Sequence, residues 1–335
     1  VPQNFFERLC IAGRAVWFYI RTDMIPVRLS LIYTRWNIDE WNPMHWVAPV
    51  MVVGILAFLL LHRRTWTKPV LAAYGYVLIV LFPVIGFFNM SFMHIAFVAD
   101  HLQYIAIPGV IALVAGTGWW IACRGGIATK ILTGSLALVL VGLMSYESRS
   151  RAATFQDERT LWTDTIRRNK RAWLAYNNLG LLANNAGRPD TAIGLYDKAI
   201  ALKPDYSHAL NNRGLAYAAK ANALRARDQA QAARFDKLAI ANYDKALECD
   251  PQYANAYANK GLVYQAQLQF ARAIEEHTKA LAISPKLAIA FNNRGTAYFR
   301  LKEYDKAIAN FTEAIASRRK YADAHHNRAL AYYQT

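Results

Sequence analysis

The chain has 335 residues, 55% hydrophobic and 19% charged, with 39 Lys and Arg against 23 Asp and Glu and a net charge of +16. Its three scattered cysteines, Cys10, Cys123 and Cys249, exclude a disulfide framework and a cysteine zinc site, and no metal site is expected. No zinc-finger, RNP or P-loop pattern accompanies the basic charge, so the expected partners are not nucleic acid but an acidic or membrane surface.

Composition shifts near residue 148: the segment before it is strongly apolar, and most of the net charge follows it. The reading is therefore a transmembrane helical domain over 1–148, a connecting helix over 149–172 and a repeat domain over 173–335. Val1-Pro2 opens without a signal peptide and Thr335 stops inside a repeat, so the polypeptide is expected to continue at both ends.

In chain order, Phe5 to Ile25 is apolar but carries Arg8, Arg14 and Arg21; it reads either as a fifth span or as an amphipathic helix in the interface. Four further segments read as spans: Trp46 to Leu61, Pro69 to Phe88, Tyr104 to Ala122 and Ile131 to Tyr146. Each is ~16–20 residues, about 24–30 Å as a helix, close to bilayer thickness. Trp46, Trp119, Trp120 and Tyr146 lie at segment ends, where aromatic belts form. Arg63, Arg64 and Lys68 follow the first span, and Arg124 and Lys130 the third, whereas 89–103 has no Lys or Arg. The positive-inside rule then places those two basic loops in the cytoplasm and the repeat domain outside it, although Arg149 and Arg151 argue weakly the other way. Thr154 to Asn169 has helical spacing at Leu161, Trp162 and Ile166 and is expected to form a lone helix before the repeats.

From Trp173 the sequence repeats. Gly180, Gly214, Gly261 and Gly295 recur with small and aromatic residues at fixed offsets, such as Ala192 and Tyr196, Ala239 and Tyr243, Ala273 and His277, and Ala307 and Phe311. Gly180 to Gly214 and Gly261 to Gly295 are both 34 residues, the period of tetratricopeptide (TPR) repeats. The half from Trp173 strongly resembles that family, with about four and a half repeats. The fold class is then all-α, four or five transmembrane helices followed by a superhelical solenoid. Repeat two carries 13 extra residues around Ala221 to Ala233, mostly helix formers with Asp228 as an N-cap. They predict a protruding helical hairpin, read either as a partner contact or as a harmless extension.

Two residues before each glycine stands an asparagine, Asn178, Asn212, Asn259 and Asn293, and Asn327 has the same phase. An amide both donates and accepts, so a column of them suits a peptide backbone regardless of sequence. This column resembles the O-GlcNAc transferase type of TPR array, which implies an extended peptide on the concave face; the alternative is repeat duplication or a solvated groove. Arg213, Lys260, Arg294 and Arg328 follow these asparagines, with Leu179 in repeat one. They read either as a basic groove for an acidic peptide or as a solvated helix face.

The stretches RLCIAGRAVWFYI, MIPVRLSLIY and SFMHIAFVADHLQYIAIPGV resemble bacterial transmembrane-and-TPR O-mannosyltransferase-like proteins of the GT-C membrane fold. That resemblance implies an inner-membrane location with an extracytoplasmic array. It also implies an alternative function as the C-terminal part of a protein O-glycosyltransferase using a lipid-linked sugar. Asp100 and His101 would then contact a lipid phosphate, or merely pack at the interface. No catalytic residue is identifiable and no cofactor is called for. The leading expectation is a membrane-anchored array that binds a protein or extended peptide.

Overall fold

The computed structural model describes residues 4–24, 36–63, 67–82 and 107–335. Among them lie fifteen α-helices, a 3-10 turn at Pro43–His45 and no strand. They form two compact units, Val1–Ala172 and Trp173–Thr335.

The first unit holds α1 (Phe5–Met24), α2 (Val47–Leu61), α3 (Lys68–Leu81), α4 (Ile107–Arg124), α5 (Ile127–Thr154) and α6 (Glu158–Arg168). A capping box starts α1: Asn4 Oδ1 accepts from the Glu7 N–H at 2.8 Å, and the Glu7 carboxylate accepts from the Asn4 N–H at 3.1 Å. Ala12, Ala15, Val16 and Tyr19 of α1 then pack with Val77 and Leu81 of α3 and Val110 of α4. Gly13 lies against the Pro49 backbone, where a Cβ would not fit. Arg14 and Arg21 stay on the exposed side of α1, Arg14 over the Trp36 ring at 4.9 Å.

Among the described residues, α4 alone is long and apolar enough to cross a membrane. Three other apolar helices are shorter than α4, which has 18 residues: α2 has 15, α3 has 14, and the apolar part of α5 is Ile127–Leu143. Local chemistry sets these ends. His62 closes α2 with its carbonyl taken by the Thr67 hydroxyl at 2.6 Å, and Lys68-Pro69 opens α3 with proline in the first turn. α5 starts earlier than the fourth expected span and runs on to Thr154, so Thr154 closes α5 instead of opening the connecting helix. That helix, α6, begins at Glu158, where the Asp157 side chain accepts from the Thr160 N–H at 2.9 Å.

The second unit is a run of antiparallel helix pairs: α7 (Trp173–Asn185) with α8 (Pro189–Leu202), α9 (Ser207–Leu224) with α10 (Gln229–Cys249), α11 (Ala254–Ala266) with α12 (Phe270–Ile283), α13 (Ala288–Arg300) with α14 (Tyr304–Ser317), then α15 (Ala322–Gln334). The first helix of each pair is called A and the second B. Each A-helix glycine lies beneath an aromatic ring of its B helix. A Cβ on Gly180, Gly214, Gly261 or Gly295 would come within 2.5–2.7 Å of Tyr196, Tyr243, His277 or Phe311. The repeating glycine thus permits the approach that buries the ring. Ala192, Ala239, Ala273 and Ala307 are fully buried on the B helices.

Three A-to-B corners turn through a left-handed residue seven places after the glycine: Gly187, Leu268 and Lys302, at φ of 69°, 61° and 64°. The fourth corner is replaced by longer helices. α9 and α10 have 18 and 21 residues, against 13 and 14 in the neighbouring pair α11 and α12. Asp228 caps α10 by accepting from the Gln231 N–H at 2.8 Å. Ala221 and Ala232 are fully buried where the extensions meet.

Candidate functional site: an amide track along the A helices

The five asparagines of the sequence column lie half-buried on successive A helices. They do not act singly, because each is joined to a residue that the column omitted. The Asn177, Asn211 and Asn292 amides donate to their neighbours Asn178, Asn212 and Asn293 at 3.2, 3.3 and 3.5 Å. Asn212 then donates back one repeat to Asn177 at 3.0 Å, Asn259 to Asn211 at 2.9 Å and Asn327 to Asn292 at 3.1 Å. The result is a relay of amides from one A helix to the next.

The omitted members, Asn177, Asn211 and Asn292, are buried at 5%, 3% and 7% exposure. Their signal was present in the sequence as the doublets Asn177-Asn178, Asn211-Asn212 and Asn292-Asn293. The relay has one gap. Repeat three has Ala258 where repeats one, two and four have the buried amide, so nothing stands behind Asn293, and its Nδ2 is buried with no partner.

A primary amide has two N–H donors and an oxygen with two lone pairs. Asn212 uses one donor on Asn177 and accepts once, from Asn211. One donor and one acceptor site remain, held in fixed orientation by the relay. Such a track can pair with the N–H and C=O groups of an extended chain. Asn259 also lines a cavity of about 290 Å³ between helices of repeats one, two and three.

The four cations have a different occupation. Arg213 donates to Asn242 at 2.7 Å on its own B helix and to Asp197 at 2.6 Å on the preceding one. Lys260 bridges Glu276 at 3.6 Å and Asp244 at 2.8 Å in the same way. Arg294 repeats the pattern with Asn310 at 2.7 Å and Thr278 at 3.1 Å, and Arg328 reaches Thr312 at 3.3 Å. Each therefore stitches its A helix to a neighbouring B helix. This accounts for their recurrence as a packing feature; the charge of Arg213 and Lys260 is met by carboxylates, whereas Arg294 and Arg328 bond only neutral groups. It also explains Leu179: in repeat one the acceptor position of the own B helix is Leu195, so both members are apolar.

His277 differs from the tyrosines and phenylalanine at its position. It is fully buried, neither ring nitrogen has a partner, and burial together with the nearby Arg294 charge pushes its pKa down to about 4. It is thus a neutral aromatic filler over Gly261. Among the described residues no cluster of His, Cys, Asp or Glu could hold a metal ion. Asp100 and His101, named for a lipid phosphate, lie outside the described residues, as does the rest of the 89–104 segment.

Comparison with known proteins agrees with the repeat geometry. A family profile described as TPR repeat matches residues 237–267 and 295–335, and one described as tetratricopeptide repeat matches 159–207 and 185–238. The chain therefore carries TPR repeats. No curated protein sequence matches it. Among solved structures it is similar to TTC0263, a thermophilic TPR protein of Thermus thermophilus, at 21% identity. That match covers 58% of this chain and 96% of the other, with a TM-score of 0.48. It is also similar to the MamA protein, at 23% identity over 52% and 88% of the two chains with a TM-score of 0.38. A third is Pseudomonas aeruginosa pilF, at 23% identity over 49% and 69% with a TM-score of 0.41.

Proposed function

We propose that this TPR protein holds an extended polypeptide along the amide track while its first unit sits in a membrane. The observation that carries the binding reading is the relay itself. Five A helices spend half-buried polar positions on a row of amides, linked at every step but the one behind Asn293, with hydrogen-bonding capacity left over. Backbone groups of a bound chain satisfy that capacity without regard to side-chain identity. Arg213 and Lys260 are paired with carboxylates, whereas Arg294 and Arg328 meet only neutral partners and keep their charge beside the track, which suits a peptide with acidic residues at that end.

The membrane part of the reading rests on where apolar side chains point. Only 11% of the α4 window is buried, whereas a core helix of that composition would be mostly buried. On α5, the consecutive residues Leu138, Val139, Leu140 and Val141 are all exposed, which places apolar surface on every side of the helix. Lipid is the solvent that such a helix fits. Arg63, Arg64 and Lys68, with Arg124 and Lys130, lie on the cytoplasmic side in this reading, and the repeats lie outside the cytoplasm of a bacterial inner membrane.

Two native cysteines test the anchoring. Cys123 belongs to α4 and Cys249, exposed, to the end of α10. A membrane-impermeant maleimide added to intact spheroplasts should label Cys249 while the protein stays in the membrane pellet after alkaline extraction. Labelling of Cys249 only after lysis would reverse the orientation, and release from the pellet would remove the membrane. Peptide binding is tested separately, by selecting random displayed peptides on the full chain. Failure to obtain any binder that competes at the track contradicts that part.

A further inference from the structure

In the first unit, α3 and α4 meet tightly at one end and part at the other. A Cβ on Gly109 would come within 2.7 Å of Val77 and 3.2 Å of the Ala73 carbonyl oxygen, so the helices touch there. About two turns further along α4, a Cβ on Gly116 would meet nothing within 4 Å. The crevice that opens there has a volume of about 220 Å³. Pro69 and Val70 from the start of α3 line it, with Leu113, Gly116, Thr117 and Trp120 of α4. These α4 positions are spaced three or four apart or adjacent, and so form one stripe of the helix. No lining residue is charged, and the Thr117 hydroxyl already donates to the Leu113 carbonyl of its own helix at 2.6 Å. The crevice therefore offers a guest apolar contact.

Two cations stand at the wide end. Lys68 is the first residue of α3, next to Pro69, and Arg124 is the last of α4. The Arg124 guanidinium lies 4.0 Å from the centre of the Trp120 ring, at the rim of the crevice. Both side chains are exposed. Among the described residues from Trp41 to Tyr146 there is no Asp or Glu, so no carboxylate of these helices neutralises them. The crevice is thus apolar inside and positive at its mouth.

We propose that this crevice holds an acyl chain of an anionic phospholipid whose phosphate is met by Lys68 and Arg124; this rests on the membrane reading above. Hydrocarbon fills an apolar crevice between spanning helices more favourably than water does. Trp120 holds the Arg124 guanidinium over its ring, at the level where aromatic and basic side chains meet headgroups. In that reading both cations face the cytoplasmic leaflet, whose anionic lipids attract basic residues. A helix from a second copy would cover the crevice but bring no anion, since the described apolar helices α2, α3 and α4 carry none. A lipid of no net charge would fill the crevice while leaving the positive mouth uncompensated.

The test is native mass spectrometry of the detergent-purified full chain, titrated with phosphatidylglycerol or phosphatidylcholine. The unmodified chain should retain a phosphatidylglycerol at concentrations where phosphatidylcholine is lost. Lys68→Gln combined with Arg124→Gln should weaken that retention at least about tenfold. Gly116→Phe, which fills the crevice without changing charge, should do the same. Lys130→Gln removes a cation that does not line the crevice and should keep the lipid. Circular dichroism checks the fold of each variant; should Gly116→Phe not fold, the double charge variant decides. Equal retention of the two lipids by the unmodified chain overturns the site. So does undiminished phosphatidylglycerol on the double variant or on folded Gly116→Phe, or an equal loss in Lys130→Gln. Release of the unmodified chain from membranes by alkaline extraction overturns the membrane reading itself, whereas a chain that stays in the pellet and shows no lipid preference overturns the site alone.

Discussion

Asn212 donates through its Nδ2 to the Oδ1 of Asn177, one repeat earlier, at 3.0 Å. The bond makes this amide of the track dependent on the repeat before it. It therefore contributes to the cohesion of the array as well as to the continuity of the track.

The gap at Ala258 gives the first prediction. Ala258 packs against Ala280 and Leu281 and is 3% exposed, as buried as Asn211, which occupies the same place one repeat earlier. Ala258→Asn should supply the missing acceptor for the Asn293 Nδ2. The gain expected is about 1 kcal/mol, read as a higher midpoint in urea unfolding. A loss of stability would mean that the site cannot hold the larger side chain.

The left-handed corners give the second. Leu268 and Lys302 hold at φ of 61° and 64° a conformation that Gly187 holds without a Cβ. Leu268→Gly and Lys302→Gly should each stabilise the array by roughly 0.5–1 kcal/mol, because strain removed in the fold outweighs freedom gained in the unfolded chain. Thermal melts of the single and double variants check this.

The third concerns pH. Burial, reinforced by the Arg294 charge, holds the His277 pKa at about 4 in the fold, below its ordinary value of 6.5. A depressed histidine is neutral in the fold and protonates first in the unfolded chain, so the unfolded chain takes up the extra proton. Stability is therefore complete above pH 6.5 and falls as pH drops from 6.5 towards 4, by on the order of 3 kcal/mol from this group. His277→Phe, the residue type of Phe311, should flatten the stability profile in that window. An unchanged profile would assign the acid sensitivity elsewhere.

The fourth separates stitching from binding. Glu276 is 5% exposed and depends on Lys260 at 3.6 Å and Lys279 at 2.9 Å, with Oε2 unpaired. Lys260→Met leaves Glu276 with Lys279 as its remaining partner and should cost about 1–2 kcal/mol, whereas Lys260→Arg with Glu276→Asn, the pairing seen at Arg213–Asn242, should cost little. Neither should change peptide affinity more than about twofold at full folding, if the cations serve the stack rather than the groove.

The repeat period, the glycine beneath an aromatic and the asparagine column were all legible in the sequence, because each recurs at a fixed interval and each answers to a local geometric demand. The partners of Arg213, Lys260, Arg294 and Arg328 were legible only in part. Asp197, Asp244, Thr278 and Thr312 each precede their cation by 16 residues. That offset becomes meaningful only once helix A is known to cross the preceding helix B. The cavity was not legible at all, since it forms among Asn184, Asp236 and Asn259, residues of three repeats brought together by packing. The end of α2 at Leu61 and the start of α3 beside Pro69 were legible from hydropathy and proline, whereas the ends of α5, which runs from Ile127 to Thr154, were not, because a helix can continue past its apolar stretch.

The most direct test of the central claim is the affinity of one selected, extended peptide for the full chain and for Asn212→Ala, Asn259→Ala and Asn293→Ala combined. Because Asn212 and Asn259 also bond back to Asn177 and Asn211, the binding is measured under conditions where thermal melts show both proteins folded. A track that pairs with peptide backbone predicts at least a roughly tenfold loss for the triple variant, and the same loss for peptides of unrelated sequence. Equal affinity in the folded triple variant would contradict it, and the amide relay would then be a device for stacking repeats alone.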